Sequence, residues 1–244
     1  ADPSFPRIVN IPANTSVEVT NFPMGNFGVD NDNPTNLPDA RLYFTGITPR
    51  GIHIESLNGV PVAVYEHTYG KDAAGAMLLF PTNTWGSTYN VLSLGGKSNS
   101  GAPNSFFFVM ASEDNTVIEI TPSANIIDSS SNSLFNSSTT TNIRYPANVP
   151  FQITLNRGQV FNAMGEIVNG VGADLTGSLV KSINCDKKIA VWAGNGRTFV
   201  NTSLPTACTV NSGSDNMLQQ MFPRVAWGTK YLTTPTKTME YSVY

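Results

Sequence analysis

The side chains that could do chemistry are few and scattered along this chain. Its two histidines, His53 and His67, are not accompanied by the three or four closely spaced ligands that a zinc site requires. His67, with Glu66 and Asp72, is the one weak corner that could bind a metal or transfer a proton, and a polar surface role is favoured for it. No Gly-x-Ser-x-Gly nucleophile elbow is present. These patterns predict a protein without a catalytic centre or a metal site.

Two further motifs resemble ligand-binding loops but lack essential residues. Gly-Gly-Lys-Ser at 95–98 has Val91 where a P-loop needs its first glycine, and no helix follows to face a phosphate. Asp-Asn-Asp-Asn-Pro at 30–34 could offer oxygen ligands to calcium, the one ion that stays an alternative. It lacks the glycine of an EF-hand and has Arg41 in place of the bidentate glutamate, so an Asx-type turn is favoured. Glu113 and Asp114 form the most obvious acidic pair, and their position favours a hairpin turn.

Covalent modification is predicted at five positions. A disulfide between Cys185 and Cys208 would close a loop rich in Asn, Thr and Gly, and would contribute about 3 to 4 kcal/mol. The alternative is two free buried thiols. Asn14, Asn136 and Asn201 each begin an Asn-x-Ser/Thr sequon that a eukaryotic host could glycosylate.

The composition excludes two classes of partner. Charged residues make up 13% of the 244 residues and the formal net charge is −3, so no basic surface is expected to attract nucleic acid or anionic membranes. No apolar stretch approaches the roughly 18 residues of a membrane-spanning helix, and no membrane insertion is expected. The remaining composition, rich in Ser, Thr, Asn, Gly and Pro, is typical of short strands joined by turns.

The elements that position these side chains are predicted to be strands. Apolar residues alternate at period two in 16–20, 51–56, 116–121 and 151–155, with turn residues between these segments. Residues 214–221 are the one plausible helical turn. Strands at this spacing, with polar turns, predict an all-β fold of antiparallel sandwiches.

An internal repeat is the most informative feature. Phe-Pro-x-x-x-Trp-Gly-x-x-Tyr begins at Phe80 and again at Phe222, an offset of 142 residues. Val-Ala-Val-Tyr at 62–65 matches Ile-Ala-Val-Trp at 189–192, and Ser56 matches Ser182. We therefore predict tandem duplicated β-sandwich modules at 1–148 and 149–244, with the shared aromatic residues in a common core. These shared residues are Trp85, Trp192, Trp227, Tyr89 and Tyr231.

The second predicted module lacks its last hairpin, because the sequence stops near the place of the strand at 106–110. An incomplete sandwich leaves an unpaired strand edge, predicted at Glu240, Tyr241, Ser242, Val243 and Tyr244. A truncated chain is the favoured explanation, and strand exchange with another chain is the alternative.

Several of these segments resemble the IgGFc-binding protein N-terminal domain family. They lie at 51–65, 79–89, 113–121, 155–160, 174–177, 189–195 and 219–228, and the resemblance covers about residues 41–231. It implies an extracellular, secreted or cell-surface protein with an adhesive or matrix role. It does not imply IgG binding, because no residue motif for that activity can be transferred.

The predicted function is therefore an extracellular binding or structural module with no enzymatic activity. Its expected partners are a protein or glycan ligand, or further copies of itself through strand addition. The alternatives are a secreted carbohydrate-active enzyme, which needs two carboxylates in a cleft, and a calcium-dependent glycan-binding module.

Overall fold

The computed structural model describes residues 6–20, 42, 44–69, 74–98, 103–128, 142–199 and 214–233. Contacts between Cα atoms divide the chain into two compact units, Ala1–Tyr43 and Phe44–Tyr244. All strands of the described residues lie in the second unit. In chain order they are β1 (Gly46–Thr48), β2 (Tyr65–Tyr69), β3 (Ala74–Leu78), β4 (Thr88–Asn90), β5 (Ser105–Ala111), β6 (Thr116–Thr121), β7 (Ile126–Ile127), β8 (Ile143–Tyr145), β9 (Phe151–Leu155), β10 (Val160–Met164), β11 (Ile167–Val168), β12 (Val171–Gly172), β13 (Leu179–Ser182), β14 (Ile189–Thr198) and β15 (Asp215–Gln220).

Two antiparallel sheets form the centre of this unit. One has five strands in the order β1-β10-β5-β14-β15, and the other has four in the order β4-β13-β6-β9. The hairpins β2–β3, β7–β8 and β11–β12 are separate two-stranded sheets. The predicted all-β class is confirmed, since the only helical segments described are single 3₁₀ turns at Thr82–Thr84 and Arg224–Ala226.

The strands form because their apolar residues alternate with the pleat. Every second residue of β5 and β6 is buried, as expected when one sheet face is covered. Phe107 and Val109 of the first sheet share one hydrophobic cluster with Ile118, Ile120 and Val180 of the second. The two large sheets therefore pack face to face as one sandwich.

Turns predicted from the sequence join these strands. Asn115, in the turn after β5, has φ 53° and Gly158, in the turn after β9, has φ 76°, both in the left-handed region that Asn and Gly tolerate best. The two turns are tied together, because the Arg157 amide donates to Asp114 Oδ1 at 3.0 Å. The turn role predicted for Glu113 and Asp114 is thus confirmed.

The arrangement of the strands differs from two separate modules. Strands on either side of residue 148 pair with each other in both large sheets: β5 pairs with β10 and β14, and β6 pairs with β9 and β13. No division between 148 and 149 separates the described strands. Strand pairing is decided by long-range contacts, which a repeat in the sequence cannot reveal.

Three local predictions are wrong. Residues 214–221, predicted as a helical turn, form the edge strand β15, because the backbone of β14 offers it an antiparallel partner. Residues 51–56 and 16–20, predicted as strands, have no regular secondary structure and belong to no ladder among the described residues. Alternating patterns predict a strand conformation but do not supply the neighbour with which a strand must pair.

Candidate functional site

Two carboxylates of the described residues, Glu119 and Asp174, accept hydrogen bonds from neighbouring groups. Glu119 accepts hydrogen bonds from Lys181 at 2.7 Å and from Gln152 at 3.1 Å, and these bonds lower the pKa of Glu119. Asp174 is desolvated, yet hydrogen bonds from Thr176 and Ser93 keep its pKa below the ordinary value. Each of these groups is held as a charged structural acceptor, which is the opposite of a poised general acid.

Glu66 and His67 do not form the metal-binding or proton-transfer site that was considered for them. The two residues are neighbours on β2, so their side chains leave opposite faces of the hairpin. Burial raises the pKa of Glu66, while His67 is exposed and Asp72 lies outside the described residues. No group of three His, Cys, Asp or Glu side chains that could hold a metal occurs within the described part of the chain.

The repeated motif is the feature with defined local geometry. We call residues 80–89 the first WG turn and residues 222–231 the second. In each, a proline precedes a 3₁₀ turn with almost the same backbone angles, φ −64° and ψ 151° at Pro81, φ −64° and ψ 149° at Pro223. The sequence repeat is therefore also a structural repeat at this level.

The same side-chain hydrogen bonds close both WG turns. Trp85 Nε1 donates to the Phe80 carbonyl at 3.1 Å, and its counterpart Trp227 Nε1 donates to the Phe222 carbonyl at 3.4 Å. The Gly86 amide donates to the Tyr89 hydroxyl at 2.9 Å, as the Gly228 amide donates to the Tyr231 hydroxyl at 2.7 Å. The Trp-Gly-x-x-Tyr pattern thus encodes a loop closed by its own hydrogen bonds. The indole N–H donates to the carbonyl of the first residue of the motif, and the tyrosine hydroxyl accepts from the glycine amide.

The first WG turn is docked on the sandwich. The Tyr89 hydroxyl also donates to the Ile189 carbonyl at 2.7 Å, and the Ile189 amide donates to the Gly86 carbonyl at 2.9 Å. Trp85 meets Trp192 edge to face with ring centroids 6.1 Å apart. Tyr89 is 1% exposed, and its burial raises its pKa to about 12.

Within the described residues, the second WG turn has no such acceptor on the sandwich and packs instead on the first WG turn, with the Phe222 and Phe80 ring centroids 4.5 Å apart. Trp227 is 52% exposed and Tyr231 is 74% exposed, although their internal hydrogen bonds match those of the first turn. The prediction that the shared aromatic residues lie in a core is therefore confirmed for Tyr89 and wrong for Trp227 and Tyr231, while Trp85 and Trp192 are half-buried. The sequence contains the loop, but burial depends on the surface against which the loop packs.

The hairpins that precede the WG turns also correspond. Tyr65 pairs with Leu78 in β2–β3, and its counterpart Trp192 pairs with Gln220 in β14–β15. The Leu79 amide donates to the Val64 carbonyl at 2.9 Å, as the Met221 amide donates to the Val191 carbonyl at 2.8 Å. The two copies of the repeat thus share hairpin register as well as loop geometry.

An exposed segment without regular secondary structure precedes the first of these hairpins. We call residues 51–64 the arm. It is anchored at one end by a hydrogen bond from the Gly51 amide to the Gly158 carbonyl at 3.1 Å, and it turns at Gly59, where φ is 72°. Ile52, Ile54 and Val62 are all about half exposed. An exposed alternating apolar segment of this kind can accept a further strand or a peptide.

A shallow cleft of about 290 Å³ lies beside the first WG turn. It is lined by Ser87, Thr88, Arg224 and Val225, so it contains no carboxylate. The two carboxylates that the carbohydrate-active alternative requires do not meet in this cleft.

The remaining predicted sites fall mostly outside the described residues. Cys185 is exposed and has a free thiol; Cys208 is not among the described residues, so the disulfide stays a prediction. Asn14 lies exposed in a turn with φ 59°, whereas Asn136, Asn201, the 30–34 loop and the edge at 240–244 lie outside the described part of the chain. No helix in the described residues is both long and apolar enough to span a membrane.

Comparison with known proteins identifies one relationship. A family model described as IgGFc binding protein matches residues 75–244, which is more than half of the chain and includes both WG turns. No curated protein and no solved structure gives a significant match.

Proposed function

Because the chain belongs to the IgGFc-binding protein family, we propose that it is an extracellular adhesive module that holds a protein or glycan ligand non-covalently, without catalysis. The family supports a binding role for the chain. Its name makes the Fc part of IgG one ligand to test, alongside mucin glycoproteins and the chain itself.

The arm is the observation that carries this proposal. Within the described residues, the backbone amides of Ile52, His53 and Ile54 have no backbone partner, and the apolar side chains beside them are exposed. A soluble protein rarely leaves a contiguous apolar segment in water unless that segment meets a partner. Main-chain hydrogen bonds to an added strand, together with pockets for alternate side chains, would provide affinity and specificity respectively.

The arrangement of polar groups favours binding over catalysis. Glu119 and Asp174 have lowered pKa values because they accept hydrogen bonds, among them bonds from the Lys181 ammonium and the Ser93 hydroxyl. Both carboxylates are therefore held in the charged form by these partners, whereas a general acid must carry a proton. The alternating apolar side chains of the arm are instead suited to contact with another polypeptide.

Interferometry with the full chain immobilised tests the proposal. The probes are IgG Fc, purified gastric mucin and the chain itself, and the arm variant is the double substitution Ile52→Asp and Ile54→Asp. We expect at least one probe to bind and the arm variant to lose that binding by tenfold or more, since two charges would be placed in the contact. Val149→Asp is the matched control, because Val149 is about as exposed as the arm residues but lies elsewhere. Absence of binding to every probe, or equal binding by wild type and arm variant, would refute the proposal.

A further inference from the structure

One WG turn of this chain is docked and the other is exposed, although both have the same internal geometry. The docked turn shows which surface the motif recognises. A surface of the same kind would therefore fit the exposed second WG turn.

The acceptor of the first WG turn is the corner formed by β13 and β14. In the backbone ladder, Thr88 pairs with Lys181 and Tyr89 pairs with Val180. The Ser182 amide donates to the Ser87 carbonyl at 2.7 Å. Together with the Tyr89 hydroxyl bond to Ile189, these contacts define a strand followed, across a short turn, by the start of a second strand.

The chain contains a second segment with this sequence, and that segment is the arm. Ser56 corresponds to Ser182, and Val-Ala-Val-Tyr at 62–65 corresponds to Ile-Ala-Val-Trp at 189–192, with a connecting turn one residue shorter. The hairpins that follow the two matched segments also correspond in structure, since β2–β3 has the same register as β14–β15. The buried Val180 of the corner corresponds to Ile54 of the arm, which is 55% exposed. The arm is therefore an acceptor corner without its WG turn.

The residues that would meet are complementary. If the second WG turn docks on an arm as the first docks on β13 and β14, Tyr231 lies opposite Ile54, where the first turn places Tyr89 opposite Val180. In the next pair Lys230 lies opposite Glu55, a cross-strand pair of opposite charge that stabilises a ladder. Trp227 meets Tyr65, as Trp85 meets Trp192.

We propose that the second WG turn of one copy docks on the arm of a second copy, so that the chain assembles head to tail. This inference rests on the proposed binding role of the arm and names its partner. Within one chain the arm is anchored through Gly51, and the second WG turn through Met221 and through the contact of Phe222 with the first WG turn. The side chains offered to a partner, Trp227, Lys230 and Tyr231, are exposed. A second copy supplies the missing partner without any rearrangement of the sandwich.

Charge reversal tests this assembly, with sedimentation velocity over a range of concentrations as the measurement. Glu55→Lys and Lys230→Glu are each expected to weaken self-association about tenfold, because a repulsive cross-strand pair replaces an attractive one. The double variant is expected to recover it. A mixture of the two single variants is expected to regain assembly, because both contacts between unlike chains then pair opposite charges, whereas each variant alone pairs like charges. Tyr231→Ala is expected to abolish assembly, and Glu113→Lys, a charge reversal in an exposed turn outside the proposed contact, to leave it unchanged.

The possible failures of this experiment are distinguishable. A wild-type chain that stays monomeric at all concentrations refutes the assembly, and the proposed function still stands if the arm variant loses binding to IgG Fc or mucin. If Glu55→Lys and Lys230→Glu both self-associate as strongly as the wild type, the proposed interface is wrong. Recovery in the double variant without assembly in the mixture would show that the turn reaches the arm of its own chain, which also overturns the proposal. If the chain neither assembles nor binds any probe, both proposals fall.

Discussion

Replacing Tyr89 with phenylalanine should destabilise the sandwich far more than the same substitution in the second WG turn. The Tyr89 hydroxyl accepts from the Gly86 amide at 2.9 Å and donates to the Ile189 carbonyl at 2.7 Å, and the residue is almost fully buried. Tyr89→Phe keeps the ring but leaves both backbone groups without their partner. A buried polar group left unpaired costs about 1 to 3 kcal/mol, so the free energy of unfolding should fall by about 2 to 3 kcal/mol.

The matched control is Tyr231→Phe, which removes the same hydroxyl from the same motif in water. Solvent can replace that hydrogen bond, so the change should stay within about 0.5 kcal/mol. Urea denaturation followed by tryptophan fluorescence, at a concentration where the chain is monomeric, measures both variants. If the two substitutions had equal effects, or if Tyr89→Phe changed stability by less than 0.5 kcal/mol, the docked state of the first WG turn would be wrong.

Three further predictions concern the pKa of Tyr89, the buried Asn195 and the two cysteines. Burial raises the pKa of Tyr89 to about 12, whereas an unfolded tyrosine titrates near 10. The unfolded state therefore loses this proton first as the pH rises. The free energy of unfolding of the wild type should fall by about 3 kcal/mol between pH 10 and 12, and that of Tyr89→Phe should not show this fall. Urea midpoints that change in parallel for both proteins across this window would contradict the prediction. Asn195 is fully buried, and its side-chain amide donates to two backbone carbonyls at 2.6 and 2.9 Å. Asn195→Ala should lower the free energy of unfolding in urea by about 2 to 4 kcal/mol. A change below about 1 kcal/mol would argue against those bonds. Oxidised protein should yield a Cys185–Cys208 linked peptide on non-reducing digestion, and two titratable thiols in that protein would show the pairing to be absent.

Local patterns in the sequence were sufficient for the central strands. The alternation at 116–121 and 151–155 predicts β6 and β9 with their observed bounds, because one face of each strand is covered by the core. The turns next to them are equally local, since Asn115 before β6 and Gly158 after β9 supply the left-handed backbone that the chain reversal needs. Residues 214–221 were misjudged because an edge strand takes its conformation from its neighbour, β14.

The sequence by itself determined the all-β class, the family and the repeated WG turn. These depend on the period of apolar residues, on turn chemistry, and on hydrogen bonds between residues close in the chain, such as those joining Gly86 to Tyr89 and Gly228 to Tyr231. Only the tertiary structure decided which WG turn is buried and how the strands on either side of residue 148 pair in one sandwich. Two identical local motifs differ in burial when one meets a complementary strand corner and the other does not, and that meeting depends on contacts between residues about 100 positions apart.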